Sequence, residues 1–313
     1  MTKKINLMGM IPATILPMDK HYQPDYEAYA RYLAWLADEG AVAFAVNMDT
    51  GEGPQLSMAE RQKVVAVAAR VAAEAGGQIA VLAGVMGSTT QGAVALAQNY
   101  RQAGADALVV FPNAAFRNEP LDAAIPYEYH KAIAEASGLP LVLFQLAPVF
   151  GGINFSRETL LKLLSIPQVI GIKEASFDAQ YFAYTKETVD MAGRDIVLLT
   201  GNDRFITESF LMGAEGALLG FAAIGCGMVA EMIDAFRQED WRQGVAMRAR
   251  VQGFANVIYA NPVLDYRARC KAALAHIGVI PRELTYVRPP LFRTDDAEYA
   301  RLGQALIQYG MKA

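Results

Sequence analysis

The chain contains few of the residues on which zinc-dependent and disulfide-stabilised proteins rely. Of its 313 residues only two are cysteines and only three are histidines. Cys226 and Cys270 lie in separate segments, and two cysteines do not make a disulfide framework, so buried thiols are expected. No two histidines have the spacing of metal ligands. We therefore expect no metal and no cofactor.

Blocks of basic residues and long apolar runs are missing as well. The net charge is -4 and no cluster of lysine and arginine is visible, which argues against a nucleic-acid partner. The first residues, MTKKINLMGMIPATIL, are too short and too polar for a signal peptide or a membrane span. The sequence predicts a cytoplasmic protein that acts on a small molecule.

Apolar segments with the length of strands alternate with segments that have helical spacing. The composition is 53% hydrophobic and 19% charged, which is enough to build a large core. Strands are predicted at 10–16, 42–46, 79–84, 107–111, 140–146, 168–174, 196–200 and 217–219. Helices are predicted at 25–37, 57–75, 88–103, 121–136, 156–164, 180–192 and 205–212. Ser57 to Glu60 and Ser88 to Gln91 have the pattern of capping boxes, and Gly40 has the position of a helix C-terminus.

Eight strands that alternate with helices indicate an α/β fold, a closed TIM (β/α)8 barrel. An open doubly wound sheet is the alternative, but the glycine-rich phosphate loop of its dinucleotide-binding version is absent. After Ile224 the strand pattern stops and prolines interrupt helical segments. We predict a barrel catalytic domain over residues 1–224 and a C-terminal helical domain over residues 225–313.

Lys173 is the lysine most suited to chemistry in this chain. It ends the apolar segment 168–174, and active sites of barrels lie at the carboxyl ends of the strands. A lysine in apolar surroundings has a lowered pKa and exposes the neutral amine that forms Schiff bases with ketones. The alternative is a lysine that points to solvent where its strand ends.

Other polar residues follow the predicted strands. The loop 47–53 is rich in small and polar residues, and Thr50 and Gly51 offer a hydroxyl group and close backbone approach to a carboxylate. An ordinary turn, in which Asp49 or Thr50 bonds the local backbone, is the alternative. Thr14 lies inside the first predicted strand, towards its carboxyl end, Gln145 lies near the end of the fifth, and Gly201 and Asp203 follow the seventh.

Five segments together resemble the dihydrodipicolinate synthase / N-acetylneuraminate lyase superfamily of class I aldolases. They keep the order and spacing of that superfamily over nearly the whole chain: GMIPATILPMD (9–19), NMDTGE (47–52), GIKEAS (171–176), KAALAHIG (271–278) and VRPPL (287–291). The resemblance implies a barrel with a C-terminal helical domain, commonly assembled as a homotetramer. It also implies that Lys173 condenses with a 2-oxo acid whose carboxylate is held by the loop around Thr50 and Gly51.

The chain departs from this family at several functional positions. Met48 and Asp49 replace the glycine and first threonine of the usual Gly-Thr-Thr-Gly-Glu loop. Phe144 replaces the proton-relay tyrosine, and a phenyl ring cannot transfer protons. The tyrosines expected after the fourth strand are missing, and neither Val149 nor Phe150 matches the arginine expected after the fifth.

We therefore predict a lyase that forms a Schiff base between Lys173 and pyruvate or a 2-keto-3-deoxy sugar acid. It would catalyse aldol cleavage, condensation or dehydration, but not the dihydrodipicolinate synthase reaction itself. Asp49 and Gln145 are the candidate replacements for the lost proton-transfer groups, although Gln145 facing a helix is an open alternative. The residues expected to bind substrate are Thr14, Thr50, Gly51, Phe144, Gly201 and Leu218.

Two further functions are open at this point. A catalytically silent protein that binds or senses a 2-oxo acid would explain the lost tyrosines, since a fold does not determine activity. A barrel enzyme that uses metal or phosphate is disfavoured, because the chain lacks histidine clusters and a glycine-rich anion loop after the last strands.

Overall fold

Eight short parallel strands build the centre of the molecule. The computed structural model of the protein describes residues 5–117 and 121–311; residues 1–4, on which part of the expectation about the amino terminus rests, lie outside it. The strands are β1 (Met10–Pro12), β2 (Ala43–Val46), β3 (Ala80–Val85), β4 (Ala107–Val110), β5 (Leu141–Leu146), β6 (Val169–Ala175), β7 (Val197–Thr200) and β8 (Gly216–Leu219). Their order in the sheet is β1-β8-β7-β6-β5-β4-β3-β2.

The sheet curves round so that its first and second strands meet. Isolated parallel bridges join Met10 to Ala41 and Ala13 to Ala45. The N–H of Thr14 also donates to the carbonyl of Ala45 at 3.0 Å. The strands therefore form the predicted TIM barrel, in which all eight carboxyl ends open at one face.

Helices follow each strand and then continue beyond the barrel. The first eight are α1 (Tyr26–Asp38), α2 (Met58–Glu74), α3 (Thr90–Ala103), α4 (Ala124–Ser137), α5 (Arg157–Leu164), α6 (Ala179–Met191), α7 (Ile206–Leu211) and α8 (Ala222–Arg237). The C-terminal extension adds α9 (Trp241–Ala246), α10 (Arg248–Ile258), α11 (Tyr266–His276) and α12 (Asp296–Gln308). The predicted domain boundary after residue 224 falls inside α8, which is kinked at Gly225, and it stays a prediction.

Local sequence signals account for most helix ends. Ser57 and Glu60 form the predicted reciprocal capping box at the start of α2, and Gly40 has a positive φ of 87° after α1. The second predicted box, from Ser88 to Gln91, is wrong. Thr89, rather than Ser88, caps α3 by accepting a hydrogen bond from the N–H of Gly92, although only Ser88 has a glutamine three positions later.

The strands separate two apolar layers. Leu82, Val109, Val142 and Leu199 point into the barrel and form the inner cluster. Val81, Leu108, Leu143 and Leu198 alternate with them and pack against the surrounding helices, as the period of two in a strand requires. Among the described residues, no helix is both long enough and apolar enough to cross a bilayer.

Candidate active site

Lys173 lies at the carboxyl end of β6, inside the barrel mouth. In the sheet it pairs with Phe144 on β5 and with Leu199 on β7. Its Nζ lies 4.2 Å from the centroid of the Phe144 ring. On its other side the backbone of Gly201 is so close that a Cβ there would stand 2.6 Å from the lysine Cε. Only glycine therefore leaves room for this lysine side chain.

The surroundings of Lys173 favour its neutral form. Burial lowers the pKa of Lys173 to about 8, while the negative charges of Asp203 and Asp49 oppose this shift. About one tenth of the amine is then unprotonated at pH 7, far more than for a lysine with an ordinary pKa. Lys173 thus has the property that attack on a ketone requires.

Imine formation should consequently depend on pH in a defined way. Because only the neutral amine attacks, the rate of adduct formation with pyruvate is expected to rise about tenfold per pH unit below pH 8 and to level off above it. Stopped-flow measurement of imine absorbance between pH 6 and pH 10 tests this dependence. A rate that still rises steeply at pH 10 would contradict the lowered pKa.

Lys173 opens into a cavity of about 760 Å³ at the mouth of the barrel. Several of the predicted site residues line it together: Asp49, Thr50, Phe144, Lys173 and Gly201. Among the described residues that line the cavity, Lys173 is the only lysine. The structure thus brings the predicted amine and the predicted carboxylate loop to one site.

Four predicted residues lie outside this cavity. Gln145 points away from the barrel interior, donating from Nε2 to Thr185 at 3.0 Å and accepting from the N–H of Phe155 at 2.9 Å. This is the alternative in which Gln145 faces a helix, and it follows from alternation along β5, since Phe144 points inward. We therefore assign Gln145 no role in proton transfer.

The other three residues pack close to the cavity without lining it. The Thr14 hydroxyl lies 3.0 Å from the Tyr29 hydroxyl, in the layer between barrel and α1. Leu218 is fully buried in the inner cluster of the barrel. Gly51 abuts the Thr14 carbonyl, from which an added Cβ would be 2.7 Å away. Their expected contact with substrate stays a prediction that the cavity lining does not support.

Asp49 is held by two residues of α11 that sequence reasoning did not select. Its Oδ2 accepts hydrogen bonds from Arg267 and, at 3.1 Å, from the Tyr266 hydroxyl. Its carbonyl accepts from Nε of Arg267 at 2.8 Å. Because a guanidinium group offsets its charge, Asp49 does not present an uncompensated negative charge to a substrate carboxylate.

Thr50 continues the same hydrogen-bonded group. Its hydroxyl lies 3.2 Å from the Tyr266 hydroxyl, and the ring of Tyr266 stacks on Tyr259 with centroids 4.8 Å apart. Both tyrosines line the cavity, and burial raises the pKa of each hydroxyl well above its ordinary value. They are therefore protonated donors at neutral pH.

Asp203 is the buried acid whose charge acts most strongly on Lys173. It follows β7, lines the cavity, and accepts the N–H of Phe221 at 2.8 Å and a hydrogen bond from Tyr259. Burial raises the pKa of Asp203 to about 6, although Phe221, Lys173 and Tyr259 favour the carboxylate. Such a pKa suits a group that exchanges protons near neutral pH.

A buried ion pair fixes the C-terminal helices to the loop after β2. Nζ of Lys271 on α11 donates to Glu52 and to the carbonyl of Tyr286, each at 2.6 Å. The N–H of Arg288 donates to the second carboxylate oxygen at 2.6 Å. Glu52 has a left-handed backbone, with a φ of 58°. These bonds hold Thr50 and Asp49 against Tyr266 and Arg267.

Comparison with known proteins identifies a family whose sequences are similar over nearly the whole chain. The model of the dihydrodipicolinate synthetase family matches residues 6–309. The 4-hydroxy-tetrahydrodipicolinate synthase of Laribacter hongkongensis is 30% identical over 310 residues, 98% of each chain. That of Pseudomonas aeruginosa is 28% identical over 310 residues, which cover 98% of this chain and 100% of the relative.

A solved structure agrees with these sequence matches. The chloride-inhibited dihydrodipicolinate synthase of Acinetobacter baumannii, complexed with pyruvate, superposes with a TM-score of 0.83 at 26% identity. The match covers 98% of this chain and all of that one.

Proposed function

Because the chain belongs to the dihydrodipicolinate synthetase family and is a lyase of that type, we propose that it acts on a 2-oxo acid through a Schiff base on Lys173. The observation that carries this proposal is a buried lysine with a pKa of about 8 at the end of β6. The pyruvate complex of the Acinetobacter relative supports pyruvate as the 2-oxo acid.

The first step uses Lys173 and its surroundings. The neutral amine attacks the ketone carbon, water leaves, and a protonated imine forms. The positive imine draws electrons from the neighbouring C3, so that a proton, an aldehyde or a β-hydroxyl group can be lost from the substrate. We propose that Thr50 binds the carboxylate of the 2-oxo acid through its backbone N–H group, and that Tyr266 holds this loop by accepting from the Thr50 hydroxyl group and donating to Asp49.

Proton transfer needs a group other than the family tyrosine. Phe144 occupies that place and lies against Nζ of Lys173. Asp203, held by Tyr259 and by the Phe221 N–H, is buried in the cavity with a pKa of about 6. We propose that Asp203 removes and returns the proton at C3 and that Tyr259 positions it. Phe144 and the missing tyrosines support an activity other than dihydrodipicolinate synthesis.

Replacing Asp203 tests this assignment separately from imine formation. Asp203→Asn is expected to lower the rate of proton exchange at C3 by about 10²- to 10⁴-fold, the usual contribution of a general base. The imine should still form. The rising part of the pH profile of imine formation should shift to lower pH, because the negative charge of Asp203, which raises the pKa of Lys173, is lost. NMR of pyruvate in D₂O measures the exchange.

The control for this variant is Asp190→Asn. Asp190 pairs with Lys186 on the surface of α6, and its replacement should leave exchange unchanged. Tyr259→Phe should give an intermediate loss, since it removes one of the bonds that hold Asp203. Full exchange activity in Asp203→Asn would refute the assignment.

The same exchange experiment tests the proposed function. An active lyase should replace the methyl protons of pyruvate with deuterium, because its imine and enamine interconvert. A silent binding protein, the second candidate, is favoured by the Phe144 ring 4.2 Å from Lys173 Nζ and predicts stabilisation by pyruvate without exchange. The homotetramer and the cytoplasmic location stay predictions.

A further inference from the structure

One side of the cavity is lined almost entirely by apolar side chains. We call it the apolar wall, and it comprises Met86, Phe111, Phe144, Leu146, Phe150 and Phe177. These residues come from β5 and from the segments that follow β3, β4, β5 and β6. Most polar residues of the lining occupy the opposite side, after β2 and β7 and in the C-terminal extension, whereas Arg117, which follows β4, donates a hydrogen bond to the carbonyl of Gly151.

The aromatic rings of the wall are arranged as two pairs. Phe111 and Phe144 meet edge to face with centroids 4.8 Å apart, and Phe150 and Phe177 do so at 5.3 Å. Phe144 also contacts Nζ of Lys173. The apolar wall therefore begins at the reacting amine and continues outward to Phe150 at the rim.

The rim itself exposes apolar surface. Val149 and Leu264 line the cavity, yet their exposed fractions are 83% and 55%. Phe150 beside Val149 is 39% exposed. Exposed apolar side chains that gather around a cavity mark a surface that a ligand covers.

Asp49, Thr50 and Asp203 on the opposite side are already engaged in hydrogen bonds, whereas Arg204 is an exposed residue of the lining. Asp49 bonds Arg267 and Tyr266, the Thr50 hydroxyl contacts Tyr266, and Asp203 accepts from Phe221 and Tyr259. A polyhydroxylated chain needs many hydrogen-bonding partners, because unpaired hydroxyl groups against an apolar wall are costly.

We propose that the substrate is a 2-oxo acid whose C4 carries an aromatic group, and that this group binds against the apolar wall. The proposal rests on the proposed function and narrows it, because it replaces a sugar-acid substrate with an aryl one. The second product of cleavage is then an aromatic aldehyde.

The reaction follows from the Schiff base at Lys173. In a 4-aryl-4-hydroxy-2-oxobutanoate joined to the lysine, the 4-hydroxyl group gives its proton to a base and the C3–C4 bond breaks. Its electron pair moves into the imine, leaving an enamine and the aromatic aldehyde. The enamine carbon takes up a proton, and water hydrolyses the imine to release pyruvate and the free amine. The reverse direction joins pyruvate to the aldehyde.

Addition of pyruvate to two aldehydes tests the substrate class. The enzyme is expected to use benzaldehyde with a kcat/KM at least about tenfold above that for glyceraldehyde, since differences in pocket contacts of this size give factors of about 10 to 200. An equal or higher value for glyceraldehyde overturns the proposal.

A substitution in the apolar wall provides a second test of the aryl-substrate proposal. Phe150→Ser is expected to lower kcat/KM for benzaldehyde about tenfold and to lower the ratio of kcat/KM for benzaldehyde to that for glyceraldehyde by a similar factor, because only the aromatic group contacts the apolar wall. Phe292→Ser, a matched change at a residue that is 83% exposed and outside the cavity lining, should alter neither quantity. Melting temperatures establish that both variants fold.

The possible outcomes distinguish failure of the aryl-substrate proposal from failure of the Schiff-base function on which it rests. Absence of exchange with pyruvate overturns the Schiff-base function and the aryl substrate together. Exchange that is accompanied by a preference for glyceraldehyde overturns only the aryl substrate. A change in oligomeric state of Phe150→Ser without any change in aldehyde preference also overturns it, because the rim would then be an interface between copies of the chain.

Discussion

Lys173→Ala should lower the rate of deuterium exchange into pyruvate by about 10⁴-fold or more, the scale of loss seen when an enzyme's nucleophile is removed. No other lysine among the described residues lines the cavity, so none can replace the amine. The NMR exchange assay described above measures the loss. Lys20→Ala is the matched control, because Lys20 is exposed on the surface.

The loss in Lys173→Ala should not arise from unfolding. A buried amine whose pKa is lowered by desolvation opposes folding at neutral pH, so its removal is expected to leave the melting temperature unchanged or raise it. Full activity of a folded Lys173→Ala protein would contradict the Schiff-base mechanism. It would favour a barrel enzyme with metal or phosphate chemistry instead.

The second large effect concerns the ion pair between Lys271 and Glu52. Both side chains are almost completely buried, and their charged atoms lie 2.6 Å apart. Glu52→Gln leaves the lysine charge without its partner, which should reduce the free energy of unfolding by about 3–5 kcal/mol. Urea denaturation followed by circular dichroism measures this loss.

Two comparison variants test whether the loss of stability comes from the unpaired buried charge. Glu74→Gln breaks the exposed pair with Arg70 and should cost about 0.5 kcal/mol or less. The double variant Glu52→Gln/Lys271→Met should recover part of the stability, because no unpaired charge remains. If Glu52→Gln reduced the free energy of unfolding by as little as Glu74→Gln does, this would contradict the conclusion that the buried ion pair fixes the loop. Since Glu52 holds the loop of Thr50, a raised KM for pyruvate is also expected.

Local patterns in the sequence were sufficient to predict the barrel. The apolar run before Lys173, the Ser57 capping box and Gly40 each specify their structure through nearby residues, and the alternation of such elements determines the fold. Thr89 shows the limit of this approach, since adjacent hydroxyl residues leave the start of a helix uncertain by one position.

The site was predicted where it depends on strand ends and missed where it depends on packing between distant segments. Asp49 and Thr50 follow β2, Lys173 lies near the carboxyl end of β6, and all three line the cavity, while their roles stay predictions. Tyr266 and Arg267 lie on a helix more than 200 positions after Asp49, and nothing local indicates that the two segments meet. Hydrogen bonds between them arise only from the tertiary fold.

Strand alternation and tertiary packing decide which of three further residues can act in the cavity. Alternation along β5 turns Phe144 inward and Gln145 outward, so only one of the pair could serve the cavity. Asp203 was visible as a polar residue after β7, but its buried carboxylate and its bond from Tyr259 depend on α10 and the segment that follows it. Its importance follows from the structure rather than from its position in the chain.

Reduction of the Schiff base is the most direct test of the central claim. Sodium borohydride added in the presence of pyruvate should increase the intact mass by one reduced pyruvate, and peptide mapping should locate it on Lys173. The adduct should be absent from Lys173→Ala. An unmodified protein, or an adduct on another lysine such as Lys271, would contradict the account.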